Sequence, residues 1–539
     1  MQTHSTIYDV VRSARWLIVA AIVLMLAFSA VGTALAQGEQ PPDVQAVADS
    51  ASDTATSLNV LWVLIAGALV FFMQAGFALV ETGFTRNKNV VHTMMMNMMV
   101  FCIGALGYWL VGFALQFGGV NYTYPAVNGN PEWNFAPVTL GNWGTLLNQP
   151  VVVGGSGVMG LGGFMLGGLG ANFGVLVFFM FQMVFMDTAA TIPTGSMAER
   201  LKFSGFVAMG MFVSMFIYPL VGGWVWGGGW LANLGRTAGL GNGAVDFAGS
   251  GVVHLVGGTV ALVGAIVLGP RIGRFNKDGS ANTIPAHNFP MGVLGTIILF
   301  FGWFGFNAGS ALGFTGAFRN LAVLAAVNTL MAGAAGGGTA MLFMWVLGPT
   351  KKPDGAMSVN GILAGLVAIT APCAFVDVTS AVIIGMVGGV LVCVISILLE
   401  KLKIDDAVGA APVHFANGLW GVLAVGIFSN GNPDTALWNG VATPVTGLLY
   451  GGSGQFVAQL LEAGSIAVTV AVSSFVFFKI LAALKMLRVS REVELEGLDM
   501  PEMGSLGYPK DFEPGPDAVI YTRKTAKRAP MRAGAAAGK

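Results

Sequence analysis

Apolar runs long enough to cross a bilayer recur along this chain, separated by short polar segments. A transmembrane helix needs about 20 predominantly apolar residues. Such runs fall near 57–80, 90–117, 172–197, 203–225, 246–269, 287–312, 319–347, 354–372, 376–399, 407–429 and 456–483. The pattern predicts an all-α integral membrane protein with 11 transmembrane helices. An earlier run, Trp16 to Ala30, follows Arg12 and Arg15 and precedes Ala34-Leu35-Ala36. A basic start, an apolar middle and small residues at the end make a secretory signal peptide, with a retained first helix as the alternative. The expected divisions are therefore a signal peptide at 1–36, a transmembrane domain at 37–488 and a C-terminal tail at 489–539.

Charge placement tests the helix count independently. With the mature N-terminus outside, every odd loop should be cytoplasmic and carry Lys or Arg. Those loops hold Arg86 and Lys88; Arg200 and Lys202; Arg271, Arg274 and Lys277; Lys351 and Lys352; Lys401 and Lys403. The even loops hold only Arg236 and Arg319, and Lys485, Arg488 and Arg491 place the C-terminus in the cytoplasm. Adding or removing one helix destroys this alternation. The implied location is the inner (plasma) membrane of a prokaryote.

Composition agrees. Of 539 residues 55% are hydrophobic and 10% charged, where a soluble domain carries about 25% charged residues. The 78 glycines lack a collagen-like period and suit close approach of membrane helices. Lys+Arg 26 balances Asp+Glu 26, so net charge points to no partner, and no nucleic-acid binding is expected. Cys102, Cys373 and Cys393 lie in apolar stretches without metal-binding spacing and read as buried packing residues. Loops 118–171 and 430–455 are long and rich in Gly, Asn, Pro and Trp. After acidic Glu492 to Asp499, the tail ends in a basic stretch containing Arg523, Lys524, Lys527, Arg528 and Arg532. That stretch reads as a solvated tail, with contact to anionic lipid as the alternative.

Two echoes suggest an internal repeat. Ala75-Gly76-Phe77-Ala78-Leu79 in the first helix resembles Ala308-Gly309-Ser310-Ala311-Leu312 in the sixth. Asp246 stands eight residues before His254 in the fifth helix, and Asp406 eight before His414 in the tenth. Five helices per copy make the second copy inverted in the membrane, with the eleventh helix left over. Transporters built this way place the substrate site at the repeat interface.

His254 and His414 are the histidines deep within spans, whereas His92 and His287 sit near the cytoplasmic edge. Ionisable groups in a membrane normally face the bundle interior or a water-filled path. Two imidazoles from symmetry-related helices can meet and share a proton, offering donors and acceptors without a fixed charge; separately satisfied histidines are the plain alternative. Asp246 and Asp406 start their helices and can cap free N–H groups, and Asp246 can also favour a bound cation. Phe181 and Phe185 are one turn apart, Trp303, Phe304 and Phe306 mark the sixth helix, and Trp226 ends the fourth. An indole face attracts cations by roughly 0.5–2 kcal/mol. Spacing alone does not select a gate pair from the 37 Phe.

From about Leu58 to Asp499 the chain resembles the ammonium transporter (Amt/Rh) family, and specifically its Amt branch. The resemblance is carried by Met73 to Arg86, Ala198-Glu199-Arg200, Asp246 to His254, His287-Asn288-Phe289-Pro290, Gly302 to Ser310, and Asp405-Asp406 through Val413-His414. It implies a homotrimer with one pore per subunit. It further implies recruitment of ammonium at an outer site of Trp226, Phe181 and Ser310, with Asp246 buried beneath. Phe185 and Phe306 match the family's gate, and His254 and His414 the pore-lining pair. The segment near Glu496-Gly497-Leu498-Asp499 resembles a regulatory region, with a PII-type signalling protein as possible partner. Departures are Phe415 where Gly is common, Gly409 where an acidic residue is common, and Asp187 beside the gate helix. The implied function is ammonium transport with no cofactor, metal site or enzymatic activity. A membrane ammonium sensor is the alternative; a haem or metal enzyme using the two histidines lacks further ligands nearby.

Overall fold

The computed structural model describes residues 23–25, 44–118, 151–153, 156–167, 173–438, 441 and 443–508. The expected signal peptide lies outside the described residues except for the short helix 23–25, as does the basic end of the tail. Residues 1–56 and 57–539 form two units. In the first, the described residues are helical, with Gln45 donating to Asp49 one turn on. Everything below concerns the second.

Among the described residues ten helices are long and apolar enough to cross a membrane. They are α1 (Val44–Phe84), α2 (Asn87–Phe117), α3 (Gly174–Met197), α4 (Phe203–Val225), α5 (Ser250–Leu268), α6 (Phe289–Ala311), α7 (Gly316–Val346), α9 (Val378–Lys401), α10 (Ala411–Phe428) and α11 (Ser453–Ala483). The run expected at 354–372 forms a shorter apolar helix, α8 (Gly355–Thr370). Several starts follow from local chemistry. Asn288 accepts the N–H of Met291, Asp354 that of Met357 and Asp377 that of Ser380, each satisfying a donor the helix leaves free. The long loop before α3 includes a small antiparallel hairpin, Val151–Val153 with Ser156–Met159.

Glycine sets how closely the helices meet. A side chain on Gly76 would strike the carbonyl of Gly295 at 2.9 Å, and one on Gly295 the Gly76 carbonyl at 2.6 Å. Likewise Gly83 faces Gly292, while Gly302 faces Met73. The contact between Gly76 and Gly295 is reciprocal. It pairs Gly76 with Gly295, not with Gly309, so the Ala-Gly echo is out of register with the packing. Short matches of small residues carry little register information.

Between α5 and α10 the second echo agrees with the packing. Gly258, four residues after His254, lies against the backbone of His414 and Phe415. A side chain on Gly418, four after His414, would begin 2.7 Å from the backbone nitrogen of Leu255. Both helices also open with a π-helical turn, Ser250–Leu255 and Ala411–Ala416, a feature concentrated at functional sites.

The basic loops converge at one end of the bundle around two buried carboxylates. Arg271 grips Asp405 through Nε at 2.8 Å and Nη2 at 2.9 Å, and reaches Glu199 at 3.3 Å. Arg86 pairs with the same Glu199 at 2.5 Å. Burial alone raises the Asp405 carboxyl, but the hydrogen bonds from Arg271 and the charges of Arg200 and Arg271 outweigh it and hold Asp405 well below the usual range. Glu199 is lowered in the same way: burial opposes, and Arg271 and Arg86 prevail. The tail docks here too. Leu498 is fully buried, its N–H donates to Asn89, and Asp499 accepts the N–H of His92. Glu494 accepts from Ile272 N–H and pairs with Arg488, and Glu502 accepts from Phe203 N–H. His287 contacts Thr85 O and the Tyr508 hydroxyl, so His92 and His287 both belong to this end. One cysteine departs from expectation: Cys373 and Cys393 are buried, but Cys102 is exposed.

Candidate functional site

Asp246 and Asp406 set up the site in the same way. The Oδ1 of Asp246 accepts the N–H groups of Gly249 (2.7 Å) and Ser250 (3.1 Å), and its Oδ2 those of Gly251 (2.9 Å) and Val252 (3.0 Å). Asp406 repeats the pattern: Oδ1 takes Gly409 (3.0 Å) and Ala410 (3.1 Å), and Oδ2 takes Ala411 (2.6 Å). Pointing these N–H groups at one carboxylate requires a left-handed residue three positions after the Asp. Gly249 has φ +110° and Gly409 φ +83°, conformations that cost other residues energy. The repeated unit is thus Asp-x2-Gly-x4-His, which explains why Gly409 stands where an acidic residue was expected.

Each clamped turn presents its histidine to the other. His254 Nδ1 and His414 Nδ1 are 3.1 Å apart and share one hydrogen bond. Both residues are buried, with His254 fully enclosed. An aromatic column stands over them on the side away from the basic end. The His254 ring stacks on Phe306 at 5.5 Å and on Trp303 at 5.2 Å. Phe306 stacks on Phe185 at 4.1 Å, and Phe185 meets Phe181 at 4.6 Å and Trp226 at 6.0 Å. Trp226 Nε1 donates to the carbonyl of Asp246 at 2.7 Å, fixing the indole over the clamped turn. Ser310 spends its hydroxyl proton on Phe306 O (2.8 Å), and its carbonyl accepts from Trp438 Nε1 (2.8 Å). The edge of the Phe181 ring lies 3.2 Å from where a Gly309 side chain would begin. Every site residue expected from the sequence therefore falls in one column or on its wall.

Below the histidines the column opens. A cavity of about 30 Å³ is lined by His414, Phe77, Glu81, Ile192, Val413 and their neighbours. It shares Asn360, Val408 and Gly409 with a larger vestibule of about 270 Å³ that reaches Asp406, Arg274 and Glu400 at the basic end. Phe415 is not among the residues lining either space; it occupies the place that Leu255 holds after the other histidine. Asp187 is 2% exposed, and its Oδ1 has no hydrogen-bond partner among the described residues. Two residues after Phe185 it is turned about 200° away from the Phe185 ring.

The sequence reading missed Glu462 on α11. It is fully buried, accepts from Gln459 Nε2 at 2.8 Å, and leaves Oε1 without a partner among the described residues. That oxygen lies 2.8 Å, and Asp246 Oδ2 3.2 Å, from the point where a Gly251 side chain would begin. Gln455 and Gln459 tie α11 to the loop before α5 through Gly243 O, Val245 N and Val245 O. The spacing Gln-x3-Gln-x2-Glu on an apolar helix was the available signal, since a polar stripe within a span needs buried partners.

Comparisons with known proteins agree with this geometry. The model of the Ammonium Transporter Family matches residues 61–508. Ammonium transporter Amt2 of Archaeoglobus fulgidus is 42% identical over 454 residues, covering 84% of this chain and 88% of its own. Ammonium transporter 1 member 3 of Solanum lycopersicum is 34% identical, covering 84% and 93%. Among solved structures, a Sensor Amt Protein aligns with TM-score 0.69 and 35% identity over 84% of this chain and 99% of its own. Mep2 of Candida albicans aligns with TM-score 0.65 and 25% identity over 81% and 87%. A family match across most of the described helices, joined to these relatives, shows that the chain belongs to the ammonium transporter family, in its Amt branch.

Proposed function

We propose that the chain carries ammonium across the inner membrane by deprotonating it and conducting neutral ammonia, with or without the proton, through the column described above. The observation that carries this reading is the 3.1 Å contact between His254 and His414 beneath the stacked pair Phe185 and Phe306. Rings stacked 4.1 Å apart close the path, so a passing species must displace them and shed its water, and the apolar column beyond favours a neutral species. Ammonium differs from potassium in being able to become neutral. Trp226, Phe181 and Ser310 form the recruiting site: indole and phenyl faces attract the cation, and the Ser310 oxygen keeps lone pairs free to accept from it. Asp246 acts from beneath the contact of its carbonyl with the Trp226 indole N–H, favouring positive charge at the mouth; its carboxylate oxygens are committed to backbone N–H groups.

The same reading has eleven crossings, counting α8, arranged as an inverted five-helix repeat plus α11. It places the mature N-terminus outside after removal of residues 1–36, and the basic end with its docked tail in the cytoplasm, where a PII-type protein can bind. A homotrimer with one pore per subunit completes it. The test is current recording on reconstituted protein given ammonium, potassium or methylammonium pulses. Wild type responds to ammonium over potassium; His254→Ala and His414→Ala lower transport or change that selectivity. Unchanged flux and selectivity in both variants refutes the twin-histidine path. Similarity to a Sensor Amt Protein, with a tail docked at the basic end, favours a second reading as an ammonium sensor, in which ammonium binds with no accompanying flux.

A further inference from the structure

Glu81 lines the small cavity beneath His414, and no step above uses it. It lies on α1, is 3% exposed, and faces a space whose remaining wall is mostly apolar: Phe77, Val80, Ile192, Leu299 and Leu363. A carboxyl group held there needs a reason, because an unpaired charge in such surroundings costs several kcal/mol. Its hydrogen-bond partners among the described residues are Asn97, Thr194 and the backbone of Gly195. Asn97 Nδ2 donates to Oε2 at 2.7 Å, and Thr194 Oγ1 lies 2.9 Å from Oε1 and 2.8 Å from Oε2. Thr194 Oγ1 also lies 2.6 Å from the carbonyl oxygen of Thr191. A hydroxyl has a single proton, and a carbonyl only accepts. When Thr194 donates to Thr191, the contact between Thr194 and Glu81 is a hydrogen bond only if Glu81 supplies the proton. The hydrogen-bond arrangement therefore suits a carboxylic acid that can keep or release a proton, with Asn97 and Thr194 ready to stabilise the carboxylate once the proton has gone.

We infer that Glu81 is a proton-transfer group of the pore, reprotonating ammonia after it passes the histidine pair. This rests on the ammonia-conducting reading. In the step, the lone pair of ammonia takes the proton of the Glu81 acid; an N–H bond forms, an O–H bond breaks, and ammonium stands beside a carboxylate. Ammonium then leaves through the vestibule, which shares Asn360, Val408 and Gly409 with this cavity. The carboxylate recovers its proton either from water in the vestibule or from the imidazole pair above. The first source makes the cycle neutral and the second makes it electrogenic. Other titratable groups facing the two spaces are His414 in the cavity and Asp406, Glu400 and Arg274 in the vestibule.

The experiment compares wild type, Glu81→Gln, Glu81→Asp and Asp406→Asn in proteoliposomes, reading current and lumenal pH after an ammonium pulse over a range of lumenal pH. A positioned acid or base contributes a hundredfold or more to a proton transfer. Glu81→Gln should thus slow flux at least about tenfold and lose the dependence on pH at the vestibule side. Glu81→Asp should recover part of both, and Asp406→Asn should keep the dependence. Current in wild type identifies the imidazole pair as the proton source; uptake without current identifies vestibule water. Infrared difference spectra of wild type upon ammonium addition should lose intensity in the protonated-carboxyl band, and that change should be missing in Glu81→Gln. Native flux and native pH dependence in Glu81→Gln overturn the inference while leaving the ammonia path intact. An unresponsive carboxyl band in transporting wild type overturns it even where Glu81→Gln fails to fold. A wild type that moves no ammonium removes the path and this step with it.

Discussion

Gly258→Ala isolates the geometry of the histidine pair from its chemistry, because it changes neither ring. The new methyl group would sit 2.6 Å from the carbonyl carbon of His414 and 2.7 Å from Cα of Phe415, and closer still to the Phe415 nitrogen. All are backbone atoms, so no side chain can turn aside. Reaching an ordinary contact of about 3.4 Å requires α5 and α10 to part by at least about 0.8 Å here. The imidazole nitrogens start at 3.1 Å, and even half of that separation taken between them takes the pair to the limit of a hydrogen bond, about 3.5 Å. Overpacking of this kind costs about 1–3 kcal/mol, and the lost hydrogen bond about 1 kcal/mol. Higher helix propensity of Ala returns up to about 1 kcal/mol. The protein should therefore stay folded, losing only a few degrees of thermal stability, while ammonium current falls much as in His414→Ala. Gly338→Ala is the control: on α7 a methyl group there meets nothing within 4 Å, and both stability and flux should be unchanged. Native current and native ammonium-over-potassium selectivity in Gly258→Ala would show that the pore does not depend on the two rings meeting.

Asp246→Ala should abolish current, while Asp406→Ala should mainly lower thermal stability, by about 2–5 kcal/mol for three charge-assisted bonds; equal loss of current at equal protein content contradicts the assignment. Glu199 and Asp405 have folded pKa values below their unfolded ones. Their contribution is full above the unfolded carboxylate range near pH 4 and is lost as pH falls through the lower folded values. Acid unfolding should thus begin at higher pH in Arg271→Met, read by tryptophan fluorescence. Truncation after Tyr508 should leave thermal stability and flux nearly native, whereas truncation after Leu487 removes the contacts of Glu494, Leu498, Asp499 and Glu502 and should impair both; equal damage from the two cuts refutes the docking argument. Asp187→Asn should transport nearly as wild type does, since Asp187 points away from the Phe185 face of its helix, and a loss as deep as in Asp246→Ala would place it in the cation path.

Apolar run length and loop charge carried most of the architecture, because hydrocarbon thickness and backbone hydrogen bonding leave few choices. The eight-residue spacing from Asp to His was legible for the same reason: it places both groups on one helix start, and the structure uses it twice. Glycine register was not. Gly76 resembled Gly309 in its neighbours, yet packs reciprocally with Gly295, since small residues meet wherever two helices cross. Glu81 lay within a quoted motif, but its cavity is assembled from α1, α3, α6, α8 and α10 together with the turn before α10, and no single stretch announces that. Glu462 went unread because the clamped turn it faces, at Gly251, lies far earlier in the chain, although its hydrogen-bond partner Gln459 is only three residues away.

The docking of the tail has a consequence for biosynthesis. Lys88, Asn89 and His92 wait at the start of α2 for Glu494, Leu498 and Asp499, some four hundred residues downstream. Among the described residues no earlier part of the chain supplies those contacts, so a nascent chain leaves them open until its last helix has been made. Leu498 buried against Asn89 is therefore a signature of a finished molecule. A chain that stalls before α11 presents bare N–H groups at His92 and Ile272 at the basic end of the bundle, surface by which a quality-control protease can tell an incomplete chain from a complete one.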